Sequence, residues 1–175
     1  EELEYKTLVV DSVTALERMF AANIVENDPK KPNGIQQALG GYGAGREAVA
    51  AMHARLRKAA GILAARKGMH TVFVAHADTN RIEPPDSDPY MRYTLRLHEK
   101  SMAPYVDDVD VVGFLKLETF TKGEGERKQA ISDGTRVLVC HATAANVSKN
   151  RFGINEPIIV EAGKNPLANY IGVLK

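Results

Sequence analysis

Lys6-Thr7-Leu8-Val9-Val10-Asp11-Ser12, with Tyr5 before it, is the stretch that decides how the rest of the chain is read. Tyr5 to Val10 is β-branched and nearly continuously apolar, the pattern of a strand covered on both faces, as in a parallel sheet. Asp11-Ser12 is the expected turn into a helix over about Val13 to Val25, with Leu16, Met19 and Phe20 on one side. Asn27 to Gly45, rich in Pro, Gly and Asn, reads as a loop. From Arg46 to Lys67 the apolar residues Val49, Met52, Leu56, Ala59 and Leu63 recur at steps of three and four, which places them on one helical face. Arg55, Arg57, Lys58, Arg66 and Lys67 mostly fall on the other side, as a solvated face does. Gly68 caps this helix, and His70 to His76 forms a second apolar strand. Strand, helix and strand joined by a right-handed crossover imply a parallel α/β sheet.

The whole chain fits that picture of one ordinary domain. It has 175 residues, 44% apolar and 26% charged, a globular composition rather than a disordered or coiled-coil one. Its net charge of +1 argues against a strongly basic nucleic-acid glue, while leaving room for local basic patches. Cys140, the single cysteine, has no intrachain partner for a disulfide, so a reducing compartment is the simpler expectation. No apolar run approaches the ~18 residues of a spanning helix, and no signal peptide opens the chain. It starts Glu1-Glu2-Leu3 without a methionine, so we expect a piece of something longer.

Beyond the second strand, Asp78 to Tyr93 carries Pro84, Pro85 and Pro89 with few aliphatics and is expected to be a long exposed loop. A short helix is expected over Leu97 to Val106 and a strand over Val111 to Glu118. Lys122 to Lys128, with Gly123 and Gly125, looks like the tip of a hairpin, and Arg136 to His141 is the returning strand. The tail from Asn155 holds Ile158-Ile159-Val160 and should pack at the sheet edge. There is no internal repeat and no low-complexity tract.

In an open parallel sheet the ligand lies beyond the carboxyl ends of the strands, which singles out Asp11, Ser12, His76 and Asp78. Leu8-Val9-Val10-Asp11 has the form of a Walker B element, an apolar strand ending in the carboxylate that supports Mg²⁺ near a nucleotide phosphate. The plainer reading of Asp11 is a cap for the next helix. Gly40-Gly41-Tyr42-Gly43-Ala44-Gly45-Arg46-Glu47 has the glycine spacing of a phosphate-binding P-loop but not its chemistry. Arg46 and Glu47 stand where Lys and Ser/Thr are required, a glutamate there would repel phosphate, and no strand precedes it, so a glycine linker into a helix is the better reading.

The segment Lys6 to Leu16 is similar to the Walker B strand of RecA-like ATPases. The order of motifs most resembles the phage nucleotide-binding proteins of the RecA-like recombinase group, including the single-strand annealing ATPases. Those motifs are Tyr42-Gly43 before a long basic helix, Val72 to His76 as a strand ending in His, and Ser148-Lys149-Asn150-Arg151-Phe152-Gly153-Ile154 after the hairpin. The resemblance implies a mainly parallel RecA-like sheet flanked by helices with an antiparallel hairpin toward the C-terminus. Residues 1–155 would be a partial core from the Walker B strand onward and 156–175 a tail.

The resemblance also implies roles. Asp11 would help hold Mg²⁺ through water beside ATP, with Ser12 supporting that shell, and His76 would be a polar sensor of the γ-phosphate. The following segment, through Asn80, Arg81, Arg92 and Tyr93, would contact single-stranded DNA. Lys149 and Arg151 would reach the nucleotide of a neighbouring subunit as an arginine finger, so a homo-oligomeric ring or filament is implied. Without the resemblance, His76 reads equally as a core histidine, and Lys149 and Arg151 as solvated turn residues. The implied setting is the cytoplasm, of a bacterial host if the protein is phage-encoded, with no membrane partner. The family's P-loop and catalytic glutamate lie before the Walker B strand, and nothing in this sequence replaces them, so these residues alone are not expected to hydrolyse ATP. Two other readings stand beside this one. Asp11, His76, Asp78 and His141 are possible ligands of a metal-dependent hydrolase, and the chain also fits a non-catalytic RecA-like interaction module.

Overall fold

The computed structural model describes residues 4–122 and 129–171 and divides the chain into two compact units, Glu1–Asp108 and Val109–Lys175. In the first unit, β1 (Thr7–Asp11) is followed by α1 (Val13–Asn27), a 3-10 turn at Ala38–Gly40, α2 (Ala44–Lys67) and β2 (His70–Val74). β3 (Ala77–Ile82), β4 (Tyr90–Leu95) and α3 (Glu99–Val106) complete it. β1 and β2 pair in parallel from Thr7↔His70 to Asp11↔Val74, as the strand–helix–strand pattern requires.

The pair is not covered on both faces. Leu8, Val9 and Val72 are exposed, because among the described residues β1 and β2 form a sheet of two strands. Two strands offer too little area for helices to cover both sides.

Ser12 has extended backbone (φ −130°, ψ 155°), and its Oγ accepts from the Ala15 amide at 3.2 Å, so it is the N-cap of α1. The buried side of α1 is Val13, Thr14 and Glu17; Met19, expected inside, is exposed. Two polar residues displace the apolar stripe because both make hydrogen bonds to elements packed on α1. On α2 the buried seam is Gly45, Val49, His53 and Ala60, rotated from the expected face, with Ala59 outside. Gly45 permits that contact: a Cβ there would lie 2.3 Å from the Ile35 carbonyl oxygen. Among the basic residues expected in solvent, Arg57 is half-buried and donates Nε and Nη2 to the Asp108 carbonyl, the Nε bond at 3.1 Å. α2 ends at Gly68 in the left-handed region (φ +62°), its amide bonded to the Ala64 carbonyl at 3.0 Å.

The centre of the unit is an aromatic cluster drawn from four elements. The rings of Phe20 (α1) and His53 (α2) meet edge-on at 5.0 Å, His53 and Tyr105 (α3) at 5.5 Å, and Tyr105 and Phe73 (β2) at 5.0 Å. Nδ1 of the wholly buried His53 shares a 2.7 Å hydrogen bond with the Tyr105 hydroxyl. Val13 and Val49 are fully buried in the same unit, each worth about 1.5–3 kcal/mol of transfer free energy.

Residues 78–93 are not the expected loop. β3 and β4 form an antiparallel hairpin in register from Ala77↔Leu95 to Ile82↔Tyr90, and Pro84, Pro85 and Pro89 lie in its connection. Prolines there cost no ladder hydrogen bond. β4 alternates with period two: Tyr90, Arg92 and Thr94 are half-buried, while Met91 and Tyr93 are exposed.

The glycine segment before α2 runs through positive φ at Leu39, Gly40, Gly41, Tyr42 and Gly43, a tight turn into the helix. It is held from below by Asp28, whose carboxylate accepts from the Leu39 amide at 2.6 Å and the Lys30 amide at 2.9 Å. Both bonds lower the Asp28 pKa from its ordinary value. Glu47, where a P-loop needs a hydroxyl, pairs with Lys100 at 2.8 Å.

The second unit is built from short antiparallel pairs. β5 (Val111–Val112), β6 (Phe114–Leu117), β7 (Phe120–Lys122), β8 (Gln129–Ile131), β9 (Arg136–Val139), β10 (Lys149–Asn150) and β11 (Ile158–Ile159) form sheets β11-β9-β6, β10-β5 and β7-β8. Gly113 splits the single strand expected over 111–118, where a Cβ would press to 2.8 Å from Leu138 Cδ1. β7 and β8 pair as a hairpin, while its expected tip, 123–128, lies outside the described residues. β11 lies at one edge of its sheet. Val137, Val139, Cys140 and Ile154 are the buried apolar residues.

The chain is therefore α/β; among the described strands β1 and β2 pair in parallel, and the other pairings are antiparallel. Among the described residues no helix is long and apolar enough to cross a membrane.

Candidate functional site

The parallel register sets the site's geometry. Because Asp11 stands opposite Val74, the strands end side by side, bringing Asp11 and Ser12 to the same sheet end as the segment that reaches His76. The Asp11 carboxylate is exposed and makes no hydrogen bond or ion pair among the described residues, which leaves it open to the water shell of a divalent cation. The Ser12 hydroxyl is nearly buried in its capping bond. His76 is exposed; the core histidine of this unit is His53.

Two residues that sequence reasoning missed tie this end to the hairpin. Thr14 Oγ1 accepts from the His76 amide at 3.0 Å, directly before β3 begins. Three residues along α1, the buried Glu17 carboxylate accepts from the His98 amide at 3.0 and 3.1 Å and from Ser101 Oγ at 3.1 Å, just after β4 ends. The Arg96 amide closes the base of the hairpin onto the His76 carbonyl at 2.8 Å. Residues three apart share a helical face, so one face of α1 grips both feet of β3–β4. The signal available in the sequence was that polar pair, Thr14 and Glu17, at a one-face spacing in the first turns of the helix.

The hairpin separates the four residues expected to meet DNA. Asn80 lies opposite Arg92 on one face; Arg81, opposite Met91, and Tyr93, opposite Thr79, lie on the other. Arg81 pairs with Glu83 at 2.9 Å in solvent. Arg92 is half-buried, and its Nε has no hydrogen-bond partner among the described residues.

Asp78 pairs with Arg96 at 3.6 Å, and its carboxylate also accepts from the Thr79 amide at 2.8 Å. Among the described residues no three His, Cys, Asp or Glu side chains are grouped to hold a metal. That observation lends no support to a metal-hydrolase reading of Asp11, His76, Asp78 and His141.

In the second unit, Lys149 and Asn150 form β10 against Val112 and Val111. Arg151 follows in an exposed turn, its Nη1 3.1 Å from Asp110 Oδ1.

Burial sets the protonation of the deep groups. It pushes His53 below its ordinary 6.5, opposed by the Glu17 charge, and drives Tyr105 up to about 12, assisted by Glu17. Burial likewise raises the Cys140 thiol.

A family model described as an AAA domain matches residues 1–152. The chain belongs to the AAA domain family. No curated protein and no solved structure matches it. As an AAA domain it is a nucleotide-binding unit of the P-loop NTPase type, and ATP with Mg²⁺ is the ligand that membership implies. Asp11 fits the metal side of that ligand, as an open carboxylate at a strand end. No Gly-x-x-x-x-Gly-Lys-Ser/Thr occurs in residues 1–175, so the phosphate cradle itself is not among them.

Proposed function

We propose that this AAA domain belongs to a RecA-like ATPase that works on single-stranded DNA in phage-type recombination or annealing. The observation that carries the reading is the grip of α1: the helix that begins at Asp11-Ser12 also holds both feet of the β3–β4 hairpin, through Thr14 and Glu17. Bound Mg²⁺ would neutralise phosphate charge. Asp11 would orient the water shell around it, and His76, exposed at the same sheet end, would contact the terminal phosphate. A change at His76 has a direct mechanical route into β3, which begins at the next residue. The hairpin would lie along the DNA strand, with Arg81 on its phosphates and Tyr93 stacking on a base.

Lys149 and Arg151 would act on the nucleotide of an adjacent copy, placing positive charge where negative charge develops during phosphoryl transfer. That role requires head-to-tail assembly.

The test uses the protein as its gene encodes it. Asp11→Asn should lower DNA-stimulated ATP hydrolysis by on the order of 10²-fold with a normal melting curve. Lys149→Ala with Arg151→Ala should abolish stimulation and leave ATP binding intact. Mixing the two inactive variants should restore part of the activity, because some interfaces then join an intact metal site to an intact finger. A mixture as inactive as its components, under conditions where both assemble, rejects the trans role.

A second reading, a non-catalytic RecA-like interaction module, draws on the absence of a P-loop motif within residues 1–175. Under that reading the gene-encoded protein binds no ATP, and Asp11→Asn changes nothing.

A further inference from the structure

The turn that carries Arg151 is built around one side chain. Asn150 Nδ2 donates to the Cys140 carbonyl at 2.8 Å and the Ile154 carbonyl at 2.9 Å. Asn150 Oδ1 accepts from the Phe152 amide at 3.0 Å and the Ile154 amide at 2.9 Å. A primary amide has two donor hydrogens and two acceptor lone pairs, so every hydrogen-bonding position of Asn150 is filled, and each partner is backbone. Three of the bonds close residues 150–154 into a loop that Gly153, at φ +69°, allows to fold back. The fourth fixes the loop to Cys140, which is fully buried and directly follows β9. The Arg151 amide donates to the Asp110 carbonyl at 3.1 Å, fixing the outer side as well.

The side chain thus supported projects into solvent. Arg151 is 66% exposed, and Asp110, its ion-pair partner among the described residues, is 68% exposed. Screening by water makes such a pair weak enough for a phosphate to displace. The arrangement is a rigid backbone base under a charge that can be released, which suits a group that must meet a ligand outside its own unit.

We propose that Asn150 is the positioning residue for Arg151, holding the turn so that the guanidinium reaches the phosphate of a neighbouring copy's nucleotide. This rests on the trans-finger reading given above. Preorganised geometry is what a finger requires, since a misplacement of about 1 Å can cost on the order of 10²-fold in rate.

The test measures kcat and KM of DNA-stimulated ATP hydrolysis on the gene-encoded protein for Asn150→Ala, Arg151→Ala and the double variant. Asn150→Ala should lower kcat by on the order of 10²-fold with KM for ATP unchanged, and the amides of Phe152 and Ile154 should lose protection from hydrogen exchange. The double variant should be no slower than Arg151→Ala alone, because a residue that acts only through Arg151 has nothing left to position. Asn150→Asp keeps the accepted bonds but sets a carboxylate oxygen against the Cys140 and Ile154 carbonyls, so its kcat should fall at least as far as that of Asn150→Ala. If Asn150→Ala does not fold, Asn150→Asp with and without Arg151→Ala carries the same comparison. Wild-type kcat in Asn150→Ala, or losses that multiply in the double variant, overturns the inference while the finger survives. Wild-type hydrolysis by Arg151→Ala overturns the finger reading and this inference together.

Discussion

Thr14 Oγ1 accepts the His76 amide proton across 3.0 Å, joining the first turn of α1 to the residue that separates β2 from the hairpin. The contact is polar, partly buried and specific, and it lies between a residue expected at a nucleotide and a segment expected at DNA.

Thr14→Val keeps the shape and removes the acceptor. The His76 amide then loses its partner in a partly buried contact, a loss of about 0.5–1.5 kcal/mol. Thermal unfolding should report that loss, and exchange of the His76 amide should quicken. Thr14→Ser, which retains the oxygen, should recover most of both. Equal behaviour of the Val and Ser variants would show the hydroxyl to be idle.

The buried His53 makes stability depend on pH. Its folded pKa lies below the ordinary 6.5 because burial disfavours the imidazolium, so below pH 6.5 the unfolded chain binds more protons than the folded one. Stability from the neutral ring is therefore present in full above pH 6.5 and declines as pH falls from there toward the folded pKa. Asp28, also held below its ordinary value, loses its contribution only at more acidic pH, around and below 3.8. Replacing His53 and Tyr105 together by Phe removes both ends of their 2.7 Å hydrogen bond, so neither is left unpaired. Denaturant titrations at pH 7.5 and 5.5 should show a marked fall for the wild type and a much smaller one for the double Phe variant.

Glycines 45 and 61 lie in the same helix and should respond with opposite signs. At Gly45 a Cβ would sit 2.3 Å from the Ile35 carbonyl oxygen, a clash with backbone, so Gly45→Ala should destabilise by about 1–3 kcal/mol. At Gly61 the nearest atom is Arg57 Nη1 at 3.4 Å, the end of a flexible side chain, so Gly61→Ala should stabilise by roughly 0.5–1 kcal/mol through helix propensity. Chemical denaturation of the two variants checks both signs.

These positions also show what the sequence makes legible. β1, β2 and the helices were readable because their signals are local: apolar runs, the turn at Asp11-Ser12 and Gly68 after a long periodic stretch. The hairpin over 77–95 was not, because polar strands such as Ala77–Ile82 look like loop until a partner strand is known. His53 was missed because a histidine on a helix acquires meaning only from Tyr105, 52 residues away. The single strand expected at 111–118 divides at Gly113 because of its close approach to Leu138, another long-range contact. The placement of Asp11, Ser12 and His76 at one sheet end was legible from the strand ends, while Thr14, Glu17 and Asn150 act by hydrogen bonds to backbone groups distant in sequence or folded back in a turn, which become visible only with the fold.

The two faces of the hairpin make the last prediction. A strand pair cannot lay both faces along one DNA strand, and Met91 and Tyr93 are exposed where Tyr90, Arg92 and Thr94 are half-buried, so under the proposed function the face bearing Arg81 and Tyr93 is the one expected to meet DNA. Tyr93→Leu keeps apolar bulk but loses stacking, and should weaken single-strand binding by about 1–3 kcal/mol with the same salt dependence. Arg81→Gln removes one phosphate contact, so the slope of log K against log salt should become shallower by about 0.7. Asn80→Ala, on the opposite face, should leave affinity and slope within error of the wild type. Fluorescence anisotropy with a labelled oligonucleotide at several salt concentrations measures all three. If Asn80→Ala weakens binding while the Arg81 and Tyr93 variants bind normally, the hairpin presents its other face. If none of the three matters, the DNA contact lies elsewhere, and the grip of Thr14 and Glu17 on the hairpin is a packing feature of the unit.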